Sequence, residues 1–175
     1  MSPVIVFLML QETGFYRVTS FILILFVSLT DALDGYYARK YNLISKIGKY
    51  LDPAADKIFV LSVLFTLHYL LESYIPLWMI MMIFSRDLFV TFLRNAFKKK
   101  KFEFNTSRLA KNKTLILILS IHVIVFLMII NEYNIYPIDY SIFYYIMLFC
   151  SLFTLLTGLD YYYQYYLLKN NEQNS

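Results

Sequence analysis

The sequence predicts an all-α integral membrane protein, a bundle of six transmembrane helices whose first helix is truncated. Of its 175 residues, 59% are hydrophobic, and long apolar runs recur between short polar or charged stretches. Only helices and closed barrels satisfy every backbone polar group inside lipid. Barrel strands would alternate polar and apolar residues, and these runs do not. No stretch remains for a soluble domain, so residues 1–175 are expected to form one membrane domain.

Six hydrophobic segments follow one another, at residues 3–10, 17–38, 48–71, 76–97, 113–130 and 140–168. The first would form ~15 Å of helix, about half of a hydrocarbon core. It lacks the basic region and the small-residue cleavage site of a signal peptide. We therefore expect segment one to begin within a crossing, because the true start lies upstream or because this helix is shortened.

Basic residues cluster in alternate connections, which indicates orientation. The positive-inside rule predicts six crossings with a cytoplasmic C-terminus. With a net charge of +4, bunched charge favours topology signals and contact with anionic lipid over nucleic-acid binding. The basic residues after segments two, four and six are Arg39, Lys40, Lys46 and Lys49, then Lys98, Lys99, Lys100, Lys101, Arg108, Lys111 and Lys113, and finally Lys169.

Several isolated polar or aromatic residues are expected to be structural. Cys150 stands alone in an apolar run, where it would pack as a small hydrophobe, and His68 and His122 occupy similar surroundings. Tyrosines gather at both ends of segment six, as interfacial belts do. They are Tyr140, Tyr144 and Tyr145 at one end and Tyr161, Tyr162, Tyr163, Tyr165 and Tyr166 at the other.

The most informative feature is a frame of four aspartates across the connection between segments two and three. Asp31 and Asp34 are three residues apart, and Asp52 and Asp56 are four apart, so each pair shares one helix face. Carboxylates are costly near lipid and need compensation. Two pairs of oxygen ligands suit two hard cations, Mg²⁺ or Mn²⁺, and a remaining carboxylate could act as general base. The alternative is four solvated carboxylates balanced by nearby lysines and arginines.

The complete frame resembles the signature of the CDP-alcohol phosphotransferase (CDP-alcohol phosphatidyltransferase) family. It comprises Asp31, Asp34, Gly35, Ala38, Arg39, Gly48, Asp52 and Asp56 at fixed spacing. The resemblance implies a six-helix membrane enzyme that moves a phosphatidyl or related group from a CDP-linked donor to an alcohol, releasing CMP. With the orientation that the basic residues indicate, the active site would lie on the cytoplasmic side of a bacterial cytoplasmic membrane. Homodimers occur in the family.

Downstream residues resemble the phosphatidylglycerophosphate synthase branch. They are residues 51–57, Ser85-Arg86-Asp87-Leu88 through Arg94, and residues 107–114, in which Ala110 replaces a glycine of the branch. In relatives, polar residues stand at the cytoplasmic start of helix one, ahead of where Met1 begins. An inactive member of the family is therefore an alternative.

The resemblance implies roles for individual residues. The metal ligands would be Asp31, Asp34, Asp52 and Asp56, with Asp56 also the catalytic base. The CDP donor would contact Asp31, Gly35, Ala38, Arg39 and Gly48. The acceptor phosphate would contact Arg86, Arg94, Arg108, Lys111 and Lys113. Against these roles, Arg39, Lys111 and Lys113 could be topology charges, and Arg86 could be a structural partner of Asp87.

The predicted reaction takes CDP-diacylglycerol and sn-glycerol 3-phosphate and gives phosphatidylglycerophosphate and CMP, a step of phospholipid biosynthesis. The same donor with another acceptor, as in cardiolipin or phosphatidylinositol-phosphate synthesis, is the alternative enzyme. The Asp frame does not distinguish these acceptors, since the acceptor would be chosen by the basic residues of segments four and five.

Overall fold

The computed structural model describes residues 2–41, 48–99 and 108–173. Within these ranges the side chains of residues 32, 36, 38, 39, 48–54, 96–99, 108–111 and 168–173 lie outside the description. The described residues form six α-helices, α1 (Ser2–Met9), α2 (Gly14–Lys40), α3 (Gly48–Leu70), α4 (Leu77–Lys99), α5 (Arg108–Glu132) and α6 (Ser141–Gln173). The prediction of an all-helical chain is confirmed for these residues, and the number of membrane crossings stays a prediction.

Three of the described helices are long and apolar enough to cross a membrane, over Gly14–Gly35, Asn112–Glu132 and Ser141–Leu167. Helix α1 has eight residues, as the short first segment predicts. Helix α4 carries Arg86 and Asp87 near its middle and further basic residues beyond them, which lower its mean hydropathy. Aspartates 31 and 34 stand in the last turn of the first span, at its boundary.

The helix ends extend beyond the hydrophobic segments. Helix α5 begins at Arg108, five residues before the expected start, because Leu109, Ala110 and Lys111 favour helix although they are not a continuous apolar run. It ends where Asn134 adopts a positive φ of 52°, a conformation that asparagine tolerates better than most residues. At the start of α6, the backbone N–H of Ser141 donates to Asp139 at 2.9 Å, which lowers the pKa of that carboxyl.

Helix α6 packs against both α4 and α5, and α5 packs against α2 and α3. Helix α1 lies against α2 and α3. Among the described residues, the Cα atoms of α2 and α3 do not approach within 8 Å of each other. Among these residues, α1 and α5 each contact both α2 and α3 and so link the two helices.

The core runs through all six helices and consists almost entirely of aliphatic side chains, Met and Phe. Fully buried examples are Ile5 of α1, Ile24 of α2, Leu64 of α3, Ile80 of α4 and Ile124 of α5, together with Phe143 of α6. Large apolar residues also cover the outside, with Phe92 71% exposed and Tyr69 75% exposed. An apolar exterior is what a lipid environment permits and water does not.

The lone cysteine and the two histidines have the structural contacts expected of them. Cys150 is buried and its Sγ donates to Ser120 Oγ at 2.9 Å. The Nδ1 atoms of His68 and His122 hydrogen-bond to the carbonyl oxygens of Ile75 and Ile118.

Candidate active site

The described carboxylates of the Asp frame lie on the surface of one end of the bundle. Asp31 and Asp34 of α2 and Asp56 of α3 are all exposed. Asp31 and Asp56 line the same cavity of about 450 Å³, whose walls come from α1, α2, α3 and α5. The frame therefore brings one carboxylate of each pair together, although no described Cα atoms of α2 and α3 lie within 8 Å of each other.

Other predicted site residues fall where their side chains are not described. Gly35 is half-buried in α2, and the backbone of the rest lies in helices α2, α3 and α5. They are Ala38 and Arg39 of α2, Gly48 and Asp52 of α3, and Arg108 and Lys111 of α5. Among the described side chains, no three His, Cys, Asp or Glu lie close enough together to hold one metal ion. Asp52, the expected fourth ligand, is outside that set.

The donor chemistry of the frame suits a hard divalent cation. Every predicted ligand is a carboxylate, and Asp31 and Asp56 line open cavity space where an ion with its own waters could be accommodated. Mg²⁺ keeps several waters and binds through one or two carboxylates together with substrate phosphates, so a full protein cage is not required. The residues fit the implied metal in ligand type.

A second group of charged residues lies between α4 and α5, around Asp87. Lys113 Nζ donates to both carboxylate oxygens of Asp87, each at 2.7 Å, and Arg86 Nη1 donates to Asp87 Oδ1 at 3.1 Å. Lys113 is 5% exposed and Arg86 is 8% exposed. Lys113 is therefore not a solvated surface charge, because its ammonium group is buried against Asp87.

Arg86 keeps hydrogen-bonding capacity beyond its pairing with Asp87. Its Nε and Nη2 atoms are buried and have no hydrogen-bond partner within the described part of the chain. An unpaired buried donor on a charged group is costly, so each of these atoms is a candidate to bind a ligand, an ion or a water molecule. Arg86 is thus the structural partner of Asp87 and also a candidate to bind an anion. The sequence offered these two roles as alternatives, and the structure is compatible with both at once.

Tyr161 of α6 organises two arginines of α4. It is 1% exposed, and its ring centroid lies 5.4 Å from Arg86 Cζ and 5.2 Å from Arg94 Cζ. Arg94 Nη2 also donates to the Tyr161 hydroxyl. Because Tyr161 is buried, its assignment to an interfacial belt is wrong. Its neighbours Tyr162 and Tyr163 are 51% and 60% exposed, as belt residues are.

These residues enclose a polar cavity of about 140 Å³. Four basic side chains line it against one carboxylate, so its interior favours an anion. Lys57 is held at its edge by a 2.9 Å hydrogen bond to Thr91 Oγ1. The charged and aromatic lining residues are Lys57, Arg86, Asp87, Arg94, Lys113 and Tyr161.

Asp56 connects the carboxylate end to this basic cavity. It lines the 450 Å³ cavity together with Asp31, and it also lines a cavity of about 220 Å³ together with Lys57, Asp87 and Lys113. Thr114 borders all three cavities. A group bound at the carboxylates and an anion bound among the basic residues would therefore meet beside Asp56.

Sequence reasoning missed two residues of this arrangement. Thr114 directly follows Lys113 in a stretch already noted for its basic residues, so its position was a usable signal. Tyr161 is one of five tyrosines within six residues, and no local pattern distinguishes it from the others.

Comparison with known proteins gives a consistent result. The sequence model of the family described as CDP-alcohol phosphatidyltransferase matches residues 1–157. Three similar relatives are each named CDP-diacylglycerol–glycerol-3-phosphate 3-phosphatidyltransferase. The Bacillus subtilis protein is 48% identical over 73 residues, covering 42% of this chain and only 37% of the relative.

The other two alignments are longer. The Rickettsia bellii protein is 35% identical, covering 70% of this chain and 67% of the relative. The Aquifex aeolicus protein is 30% identical, covering 80% of this chain and 74% of the relative. The family match extends well beyond the Asp frame and includes every charged residue that lines the basic cavity, whereas Tyr161 lies beyond it.

Proposed function

Because the chain belongs to the CDP-alcohol phosphatidyltransferase family, we propose that it transfers the phosphatidyl group of CDP-diacylglycerol to sn-glycerol 3-phosphate. The products would be phosphatidylglycerophosphate and CMP. The observation that carries this choice of acceptor is the basic cavity next to Asp56, with the buried Nε and Nη2 atoms of Arg86 unpaired within the described residues. The names of the relatives agree with that acceptor.

The proposed donor site is the carboxylate end. Asp31, Asp34, Asp52 and Asp56 would hold divalent cations, on which the family generally depends, with Mg²⁺ or Mn²⁺ suited to oxygen ligands. Bound there, such cations would neutralise the diphosphate of the donor. Gly35, Ala38, Arg39 and Gly48 would contact the CDP portion, where the small residues leave space and the guanidinium group matches a phosphate.

The proposed acceptor site is the basic cavity. Arg86, Arg94 and Lys113 would bind the phosphate of sn-glycerol 3-phosphate, with Arg108 and Lys111 nearby on α5. Asp87 fixes the positions of Arg86 and Lys113 by accepting a hydrogen bond from each. Tyr161 contacts Arg86 through its ring and accepts a hydrogen bond from Arg94 through its hydroxyl. Guanidinium groups bind phosphate through charge-assisted hydrogen bonds, which exceed neutral ones in strength.

Transfer would take place beside Asp56. The acceptor hydroxyl oxygen forms a bond to the β-phosphorus, and the anhydride bond between that phosphorus and the bridging oxygen breaks. CMP leaves with the bridging oxygen, while the hydroxyl proton passes to a carboxylate oxygen of Asp56. Asp56 lines both the cavity that it shares with Asp31 and the 220 Å³ cavity that it shares with Lys57, Asp87 and Lys113, and this position supports its role as base.

The protein as a whole would be one integral membrane domain of six helices, with α2–α3 and α4–α5 connections on the cytoplasmic side of a bacterial membrane. The distribution of Lys and Arg supports this orientation. Both substrates would then be reached from the cytoplasmic interface, where the lipid donor and the water-soluble acceptor meet. A homodimer is expected from the family resemblance.

The test is transfer by the purified chain in detergent or nanodiscs, with CDP-diacylglycerol and Mg²⁺. Acceptors offered separately are sn-glycerol 3-phosphate, phosphatidylglycerol and an inositol phosphate, and the lipid product is identified by mass spectrometry. We expect phosphatidylglycerophosphate and an equal amount of CMP from the first acceptor. Product from phosphatidylglycerol or the inositol phosphate alone would assign another acceptor, and no product from any would favour an inactive member of the family.

A further inference from the structure

A groove on the outside of the bundle lies next to Arg86, between α4 and α6. It encloses about 540 Å³, and its apolar walls include Phe89 of α4 and Leu155, Leu159 and Tyr162 of α6. Phe89 is 43% exposed and Leu159 is 64% exposed, so the groove is open at its mouth. This part of α6 belongs to the candidate membrane span Ser141–Leu167, so in a membrane the mouth would face lipid or a neighbouring protein.

The floor of the groove is charged. Arg86 lines it as well as the basic cavity, so this one residue borders both spaces. A Cβ atom at Gly158 would stand 3.0 Å from Arg86 Cγ and 3.7 Å from Nε. Because residue 158 has no side chain, the buried and, among described residues, unpaired Nε of Arg86 lies just behind the groove floor.

An apolar groove with a buried cation at its floor matches a ligand that has an acyl chain and a phosphate. A second copy of the chain that covered the groove with apolar side chains would leave Arg86 Nε and Nη2 unsatisfied whenever the basic cavity holds no phosphate, which is costly for a charged donor. A soluble phosphate would satisfy Arg86 and leave the apolar walls unused. A phospholipid with a terminal phosphate satisfies both parts at once.

We infer that the α4–α6 groove is a binding site for a phosphomonoester phospholipid, with its phosphate on Arg86 and an acyl chain between Phe89 and Leu159. In its choice of ligand this inference rests on the proposed function, because the lipid product of that reaction retains the acceptor phosphate on Arg86. The phosphate would then stay bound to Arg86 while the lipid product moves from the basic cavity toward the membrane.

The experiment uses quenching of tryptophan fluorescence by lipids with brominated acyl chains. The chain has one tryptophan, Trp78, which is first replaced by Phe. Leu159→Trp then reports on the groove. Leu156→Trp is the matched control, because Leu156 is 62% exposed on the same helix and does not line the groove. The full chain is placed in nanodiscs with either brominated phosphatidic acid or brominated phosphatidylcholine.

We expect Leu159→Trp to reach half-maximal quenching at an about tenfold lower fraction of brominated phosphatidic acid than of phosphatidylcholine, the lower end for charge-assisted hydrogen bonding. Leu156→Trp should show no such preference, and Arg86→Gln should abolish it at residue 159. Tyr162→Trp, with Tyr163→Trp as its control, repeats the comparison if Leu159→Trp does not fold.

Equal quenching by both lipids at residue 159 would overturn the site, and it is also the result expected if Arg86 binds only soluble phosphate. Protection of residue 159 from both lipids, lost on dilution to monomer, would assign the groove to a second copy and likewise overturn it. The readout requires no turnover. A negative quenching result therefore says nothing against the proposed transfer reaction. A negative transfer assay likewise leaves the quenching result interpretable.

Discussion

Lys113 Nζ donates to both carboxylate oxygens of Asp87, at 2.7 Å each, and thereby connects α5 to α4. The same carboxylate accepts from Arg86, so one aspartate balances two buried cations. Helix α6 packs against both α4 and α5 and adds Tyr161 behind the two arginines. The proposed acceptor site therefore depends on three helices, and the contribution of each helix can be tested by separate substitutions.

Removing the shared carboxylate should weaken the fold. Asp87→Asn leaves Arg86 and Lys113 facing each other without a counter-charge. Breaking a buried pair costs about 3–5 kcal/mol, and about 2–3 kcal/mol is expected here because Asp87 is one-fifth exposed. Thermal unfolding in detergent measures this change. Asp160→Asn is the control, since that carboxylate accepts from Gln164 of its own helix; an equal loss in both variants would contradict the shared role of Asp87.

The Asp56 carboxylate should be needed for chemistry and not for folding. Asp56→Asn keeps the shape of the side chain and removes the proton acceptor, so kcat should fall by about 10²–10⁴-fold, the range for general-base catalysis, or more if a metal ligand is also lost. CMP release is the assay, and an unchanged thermal midpoint is the control. Turnover close to that of the unmodified protein would exclude Asp56 as the base.

Tyr161 should act on the acceptor alone. Tyr161→Phe keeps the ring beside both guanidinium groups but loses the hydroxyl that accepts from Arg94. We expect KM for sn-glycerol 3-phosphate to rise about 5–10-fold, in line with one hydrogen bond to a charged group, while KM for CDP-diacylglycerol is unchanged. Tyr162→Phe, on the exposed neighbour, should alter neither constant, and similar effects in both variants would contradict the assignment.

A methyl group at residue 158 should disturb Arg86. In Gly158→Ala the new Cβ would approach Arg86 Cγ to 3.0 Å, so the arginine must shift and KM for the acceptor should rise by several-fold. Gly14→Ala provides a matched control, because its Cβ would meet the Tyr133 ring at 2.8 Å near the Arg17–Glu132 ion pair at the opposite end of the bundle. Gly14→Ala should lower the thermal midpoint and leave KM for the acceptor unchanged. A raised KM in Gly14→Ala together with an unchanged KM in Gly158→Ala would contradict the role given to Gly158.

The sequence was sufficient to locate the helices and to predict that carboxylates of the Asp frame lie near each other. Apolar runs bounded by charges locate each helix to within a few residues, and the spacing of Asp31 and Asp56 anticipates their shared cavity. Helix neighbours were harder to predict, because residues 115–130 are apolar on every side and mark no preferred face of α5. Tyr161 and Gly158 contact Arg86 only after α6 folds back on α4, a relationship that no local pattern in the chain encodes.

The most direct test of the account compares two acceptors that differ only in a phosphate, sn-glycerol 3-phosphate and glycerol. The ratio of their kcat/KM values is measured in the unmodified protein and in Arg86→Gln. We expect a ratio of at least about 100, and a decrease of about tenfold or more in the variant, since each hydrogen bond to a charged group contributes about 1.5–3 kcal/mol. A similar ratio in both proteins, or equal use of glycerol by the unmodified protein, would contradict the assignment of the basic cavity to the acceptor phosphate.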